Sequence, residues 1–335
     1  MALIGFWGFD DTTTENGVTL SMGTTAGRTG GLAARLGTAA GGPGATVLLA
    51  TPVSSFVHGF AFWLGLTASA ICYYRDTAGG QTSTTNHIAL TTNTNNNMVL
   101  SRNGTVLATS TQSFNFFPGW NYIEVKAVIN DTTGSVEVKV NGNVWITFSG
   151  DTRNAANGAV DTFYHPGHTG PGNIWDDMYL VDMTGAAPYN DYLGDIVVKA
   201  LLPDGNGDSS QWTGSDADSV NNYQLVDESN SSSADYVAAS SAGLTDLYTM
   251  ADLPSTYNVL AIQNLVYAAK SDGGIENTLK AIAKGQAGTI REDPALPALS
   301  TSYIAQPSQI QTTDPDGNPL TPTTVNAMQI GVRTS

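Results

Sequence analysis

Trp120-Asn121-Tyr122-Ile123-Glu124-Val125-Lys126-Ala127-Val128-Ile129 runs through the turn Asn130-Asp131-Thr132-Thr133-Gly134 into Ser135-Val136-Glu137-Val138-Lys139-Val140. Asn141-Gly142-Asn143 then leads into Val144-Trp145-Ile146-Thr147-Phe148. Apolar and polar residues alternate along these runs, the period of a strand with one face on a core and one in water. Asn-Gly is the strongest short hairpin signal, because both central residues of a type I′ turn need positive φ. Three strands joined by such turns make an antiparallel meander.

The same grammar extends in both directions. Phe56-Val57-His58-Gly59-Phe60-Ala61-Phe62-Trp63-Leu64-Gly65-Leu66 is an aromatic strand suited to the interface between two sheets, and Ile174 to Asp182 is a further strand. Beyond Asp195, Ile196 to Leu202 reads as a strand, followed by a polar stretch from Pro203 to Ser219. Asn258 to Lys270 also favours a strand, pairing across Ser271-Asp272-Gly273-Gly274 with Thr278 to Gly285. Ser300 to Gln306 and Ala327 to Arg333 have the look of closing strands. Composition agrees: 36 Gly, 14 Pro, and 23 Asp against 6 Glu favour turns over helix interiors. The expectation is an all-β chain of two jelly-roll-like β-sandwich domains in tandem, residues 1–187 and 188–335, joined near Gly185–Gly194.

Only 13% of the 335 residues are charged, about half the ~25% usual for soluble proteins. The net charge of −16 reflects 13 basic against 29 acidic residues, with −5 in residues 1–187 and −11 in residues 188–335. Such a chain releases no phosphate counterions, which excludes nucleic-acid binding as a main function and argues against an anionic membrane surface. No apolar stretch approaches 18 residues, so no membrane insertion is expected. The start MALIGFWGFDDTTT lacks the features of a signal peptide, which suggests folding in a cytoplasm. The single Cys72 leaves no internal disulfide and no cysteine-based zinc site, and reads as a small buried hydrophobe.

The first half resembles the concanavalin A-like lectin/glucanase sandwich, in particular laminin-G-like modules of tailed-bacteriophage virion proteins. The residues that carry this are Phe60-Ala61-Phe62-Trp63-Leu64, Trp120 to Val125, Val138-Lys139-Val140-Asn141-Gly142 and Ile174 to Leu180, in the family's order. The second half is similar to a module that follows this domain in phage structural proteins, through Ala200 to Gly205, Gln211-Trp212-Thr213 and Asn326 to Val332. The resemblance implies a non-enzymatic virion structural protein, assembled in the host cytoplasm with other virion proteins as a homo-oligomer, a trimer being the natural choice. A tail-tip or fibre component that attaches to a host-surface glycan is one location, and a capsid decoration or cement protein is the alternative. A secreted-type glycan-processing enzyme is the third reading.

Family-type glycoside hydrolysis would need paired carboxylates on one strand, as Glu-x-Asp-x-x-Glu or Glu-x-Asp-x-Glu. The six glutamates are scattered singly, and Glu124 and Glu137 alternate with Lys126 and Lys139 as on a solvated strand face. Sugar recognition wants an aromatic face flanked by polar groups. The candidates are the Tyr73-Tyr74-Arg75-Asp76 edge with the polar run 82–97, and Tyr164 with its Pro/Gly-rich loop 165–172, which holds His165 and His168. The two loop histidines lack a third ligand for a metal. Asp176-Asp177 is the densest acidic group of the first half, but neighbours on a strand point to opposite faces. Asp204, Asn206 and Asp208 have the 1-3-5 spacing of a calcium loop, yet lack the following glycine and carry Ser215 where the bidentate Glu belongs. A surface turn is the simpler reading there, with calcium as the one cofactor suggested.

Overall fold

The computed structural model describes residues 3–9, 18–19, 22–29, 32–36, 45–82, 85–115, 119–154, 157–166, 172–228, 232–271 and 278–335. The chain is all-β and divides into two compact units, Met1–Lys199 and Ala200–Ser335. The boundary therefore falls after Lys199, not at 187/188.

The first unit carries β1 (Leu3–Trp7), β2 (Val18–Thr19), β3 (Met22–Ala26), β4 (Leu32–Leu36), β5 (Ala45–Val53), β6 (Ser55–Trp63), β7 (Ala70–Arg75) and β8 (Ile88–Thr92). It continues with β9 (Asn97–Arg102), β10 (Thr105–Ser113), β11 (Asn121–Val128), β12 (Gly134–Val140), β13 (Asn143–Gly150), β14 (Val160–His165) and β15 (Ile174–Asp182). One sheet has the order β13-β12-β11-β6-β15-β4-β3, with β1 also on β15; the other runs β10-β9-β8-β7-β14-β5-β2. The expected meander is present, with Ile123 opposite Val140 and Val136 opposite Phe148. Asn141 takes φ 50° and Gly142 φ 76°, the left-handed pair that the Asn-Gly turn requires. Between the sheets lies one aromatic-rich core, including Phe56, Phe60, Phe62, Phe163 and Trp175.

Gly59 has a packing reason. In register it stands between Glu124 of β11 and Tyr179 of β15, on the face of the sheet away from the core. The Tyr179 ring lies over it: a Cβ there would sit 2.0 Å from Tyr179 Cε1. Only a glycine lets the phenol cross β6 and donate to Glu124 Oε1 at 2.5 Å.

The segment after β15 is not the strand that Ile196–Leu202 suggested. Its polar backbone is bound instead by side chains of the first unit. Gly194 N donates to Glu124 Oε1 (2.9 Å), Ile196 O accepts from Arg28 Nη2 (2.8 Å), and Val198 N donates to Asp177 Oδ1 (2.8 Å). With the Gly194 and Val198 amides taken by side chains, residues 196–202 form no strand.

The second unit carries β16 (Pro203–Ser210), β17 (Thr213–Gly214), β18 (Val237–Ala238), β19 (Thr245–Met250), β20 (Leu265–Ala268), β21 (Leu279–Lys284), β22 (Ile290–Glu292), β23 (Ile304–Pro307), the short helix α1 (Pro322–Asn326) and β24 (Gln329–Thr334). A five-stranded sheet, β16-β19-β24-β21-β22, is faced by the ribbons β17–β18 and β20–β23. Leu279 and Val332 of the sheet meet Val237, Val266 and Ala268 of the ribbons around Trp212. The expected pairing of 258–270 with 278–285 is corrected: β20 pairs β23, and β21 pairs β24 and β22. Most of the turn proposed for that pairing, Asp272 to Gly274, lies outside the described residues. Pro203–Ser210, part of the polar stretch, is a strand because Pro203, Gly205, Asn206 and Ser210 pair with β19.

Gly59→Ala should therefore destabilise the first unit by about 2 kcal/mol or more, as overpacking of a closed site does. Urea denaturation followed by tryptophan fluorescence reads this, and a wild-type midpoint would mean that the Tyr179 ring moves aside freely.

Candidate functional site

The outer face of the second sheet gathers two of the predicted sugar-binding residues. In one register row across six strands stand Thr46, Tyr164, Tyr73, Ala89, Ser101 and Val106. Strand alternation turns Tyr73 and Tyr164 away from the core, and cross-strand pairing brings their rings to 6.0 Å between centroids, 19° from parallel. Arg75, two residues along β7 on the same face, lays its guanidinium over Tyr164 at 4.3 Å. Small Ala89 and Ser101 leave the tyrosine pair standing above its neighbours on one side. On the other, Leu48 of β5 is 62% exposed. Burial raises the Tyr73 phenol pKa, with Tyr164 adding to the effect, so Tyr73 presents a neutral hydroxyl at neutral pH.

Alternation sends the adjacent residues inward. Tyr74 and His165 are completely buried and lie in the core, not on a binding face. His168 lies outside the described residues. Cys72 is buried too, donates to Tyr74 Oη (3.3 Å), and has its thiol pushed up to about 12 by burial. It matches the small buried hydrophobe expected.

His165 meets a second core histidine, His58, with ring centroids 5.2 Å apart. His58 Nδ1 bonds Tyr74 Oη (3.2 Å) and His165 Nδ1 bonds Ile71 O (3.1 Å). Both Nε2 atoms are buried without a hydrogen-bond partner among the described residues. The rings around them are apolar: Phe60, Phe163 and Trp175. Burial drives the His58 pKa well down, helped by repulsion from His165, and burial pushes His165 down to about 3. Both are neutral structural groups.

Asp176 and Asp177 converge, against the rule for strand neighbours, because β15 bulges there and Asp177 takes φ 48°. Their common object is Arg28. Its backbone N donates to Asp176 Oδ2 (2.8 Å) and its Nε pairs with Asp177 Oδ2 (2.9 Å). Asp195 Oδ1 (2.6 Å) and the Tyr122 ring (5.3 Å) complete the cage. Asp177 is thus taken by the Arg28 guanidinium and Asp176 by the Arg28 amide. Glu124 is likewise not on a solvated face. It is 3% exposed beneath the strap, while Lys126 pairs with Asp191 (2.9 Å). Nothing in the local pattern signals this; the cover arrives from 70 residues away in the chain.

In the second unit, Asp204, Asn206 and Asp208 lie along one exposed side of β16. Residues two apart on a strand stand about 6.8 Å from one another, whereas calcium ligands lie at about 2.3–2.6 Å from one ion. The three have separate partners: Thr249 Oγ1 with Asp204 (2.8 Å), Tyr223 N with Asn206 (3.4 Å), and Lys284 with Asp208. Among the described residues no group of three His, Cys, Asp or Glu side chains is arranged to hold a metal.

No family model matches the sequence, and no curated protein matches it either. Solved structures align with about half of the chain at low similarity. A Trypanosoma rangeli sialidase in complex with 2,3-difluorosialic acid is 14% identical, at a TM-score of 0.39, over 54% of this chain and 30% of its own length. Domain 4 of the arabinanase AbnA from Geobacillus stearothermophilus, in complex with arabinotriose, is 13% identical at 0.37, over 54% of this chain and 92% of that domain. An endo-β-1,4-glucuronan lyase from Trichoderma reesei is 14% identical at 0.36, over 53% and 95%. This chain thus spans less than a third of the sialidase's length, and the likeness stops at the fold. None of the three is a virion protein, and each is named for a carbohydrate. The expectation of a non-enzymatic phage virion structural protein, in tail or capsid, is corrected accordingly.

The histidine pair makes the first unit acid-sensitive. Unfolded histidine binds a proton near its ordinary value of 6.5, whereas the folded pair binds one only far below it. The unfolded state then holds more protons, so stability falls as pH drops from about 6.5 toward 5, by up to ~1.4 kcal/mol per unit for each histidine. His58→Phe should remove about half of that slope in urea denaturation between pH 7.5 and 5. An unchanged slope would place the proton uptake elsewhere.

Proposed function

We propose that the chain serves glycan handling, and that its first unit binds a carbohydrate chain on the outer face of the second sheet. The observation that carries this reading is the outward Tyr73–Tyr164 pair at the middle of that face, with Arg75 fixed beside it. A pyranose offers an apolar face of C–H groups for an aromatic ring and hydroxyls for polar neighbours, and this is the chemistry the row supplies. Thr46 stands next to Tyr164 in register and Ser101 lies one position beyond Ala89 in the same row, and both provide hydroxyl donors and acceptors. An extended sheet face accommodates a run of sugar units better than a single residue in a pocket, which suits a polysaccharide.

The role assigned to this face is recognition. Whether the chain also processes the glycan is a second reading, favoured by no cluster among the described residues. Glu124, a buried carboxylate, has its phenol partner Tyr179 held protonated by burial and by Glu124 itself, beneath the strap. That arrangement positions the strap and offers no open site for a scissile bond.

Retention of the full chain on a panel of insoluble and gel-embedded polysaccharides tests the proposal. Tyr73→Ala and Tyr164→Ala should each weaken binding to the retained polymer at least tenfold, about 1.4 kcal/mol, without lowering the melting temperature enough to unfold the unit. Binding that both variants leave intact would remove this face from the function. New reducing ends or unsaturated products released from the same polymers would establish processing.

A further inference from the structure

The inference below rests on the glycan-binding reading and adds the class of glycan. The chain has 29 acidic residues for 13 basic ones, so an arginine has no shortage of counter-charges. Arg28, Arg102, Arg153 and Arg333 each pair with a carboxylate, and Arg291 Nη1 donates to Thr313 O at 2.9 Å. Arg75 makes no ion pair among the described residues, and its Nε has no acceptor there. The acid whose charge reaches it is Asp161. That carboxylate is already committed, accepting from Thr77 N (2.7 Å), Ala78 N (2.8 Å) and Thr162 Oγ1 (2.6 Å).

The guanidinium is nonetheless held in place. Stacking on Tyr164 fixes its plane, so the fork of N–H donors is ordered before any partner arrives. It occupies the face that carries Tyr73, next to Thr162 in register. A planar donor fork, half-buried, ordered and without an ion pair among the described residues, is complementary to a carboxylate, which it binds through two parallel hydrogen bonds. The general negative charge of the chain opposes this only weakly, since fields in physiological salt decay over about 8 Å.

We propose that the Tyr73–Tyr164 face binds an acidic glycan of the uronic-acid type, whose carboxylate pairs with Arg75 while a sugar ring packs on tyrosine. The position of Arg75 two residues from Tyr73 along one strand, about 6.8 Å, matches a carboxylate on the same or the adjoining sugar unit.

The test compares polygalacturonate, polyglucuronate and alginate with their carboxyl-reduced, neutral counterparts, using the full chain and affinity electrophoresis. At least one polyuronate should bind tenfold or more tightly than its reduced form. Arg75→Gln should abolish that preference, and Arg75→Lys should restore part of it, since a point charge replaces the fork. Thermal melts of both variants verify folding. Equal binding of each acidic polymer and its reduced form would overturn the acidic class, as would a preference that survives Arg75→Gln. In either case binding that Tyr73→Ala still abolishes leaves the glycan-binding reading standing. Binding of none of the polymers, acidic or neutral, would overturn both.

Discussion

Arg28 is the interaction on which the ordering of the first unit's outer surface depends. The first sheet exposes Tyr122, Glu124 and Tyr179 away from its core, groups that sit poorly beneath a cover unless every polar atom is answered. The strap 191–198 answers Glu124 and Tyr179, the Asp177 carbonyl answers Tyr122, and Arg28 holds the strap. Its guanidinium joins Asp177 on the bulge of β15 to Asp195 and the Ile196 carbonyl. Glu124 and Asp177 then take the Gly194 and Val198 amides. Breaking a buried pair of this kind by removing one partner costs about 3–5 kcal/mol, because the remaining charge is stranded. The boundary of the unit at Lys199 follows from this knot.

The abundance of aspartate has the same origin. Its short side chain folds back on nearby amides, and the structure uses it so throughout. Asp161 binds Thr77 and Ala78, Asp246 binds Gln211 and Trp212, and Asp316 binds Ala287 and Thr289. Asp246 is fully buried and also accepts from Asn222 and Tyr248. The net charge of −16 is thus in good part the by-product of pinning turns and strand ends. It is not simply a solvated acidic coat on the second unit, although that unit holds more of the acids.

The candidate site illustrates how far pattern reaches. Two adjacent pairs, Tyr73-Tyr74 and Tyr164-His165, are visible as aromatic groups in the sequence. In each pair one residue faces out and the other is core, because strand neighbours alternate. Which of each pair faces out depends on the bulge between Ala70 and Cys72 and on the pairing of β14 between β5 and β7. Arg75 is visible in the sequence as part of the Tyr73-Tyr74-Arg75-Asp76 edge, but that no carboxylate among the described residues pairs with it is decided by segments distant in the chain. The 1-3-5 spacing of Asp204, Asn206 and Asp208 shows the reverse: it converges in a loop, and here it lies as a row along a strand.

By itself the sequence determined the all-β class, the 120–148 meander, the Asn141-Gly142 turn and the burial of Cys72. These follow from local periodicity and φ preferences, which neighbours in sequence are enough to express. Tertiary structure decided what distant segments do to one another: the strap that buries Glu124, the bulge that turns Asp176 and Asp177 toward Arg28, the partner of β20, and the face that joins Tyr73 to Tyr164. Each depends on contacts between residues tens to more than a hundred positions apart. A local pattern carries no record of which segment will arrive, and so of whether an exposed-looking polar side chain will be covered.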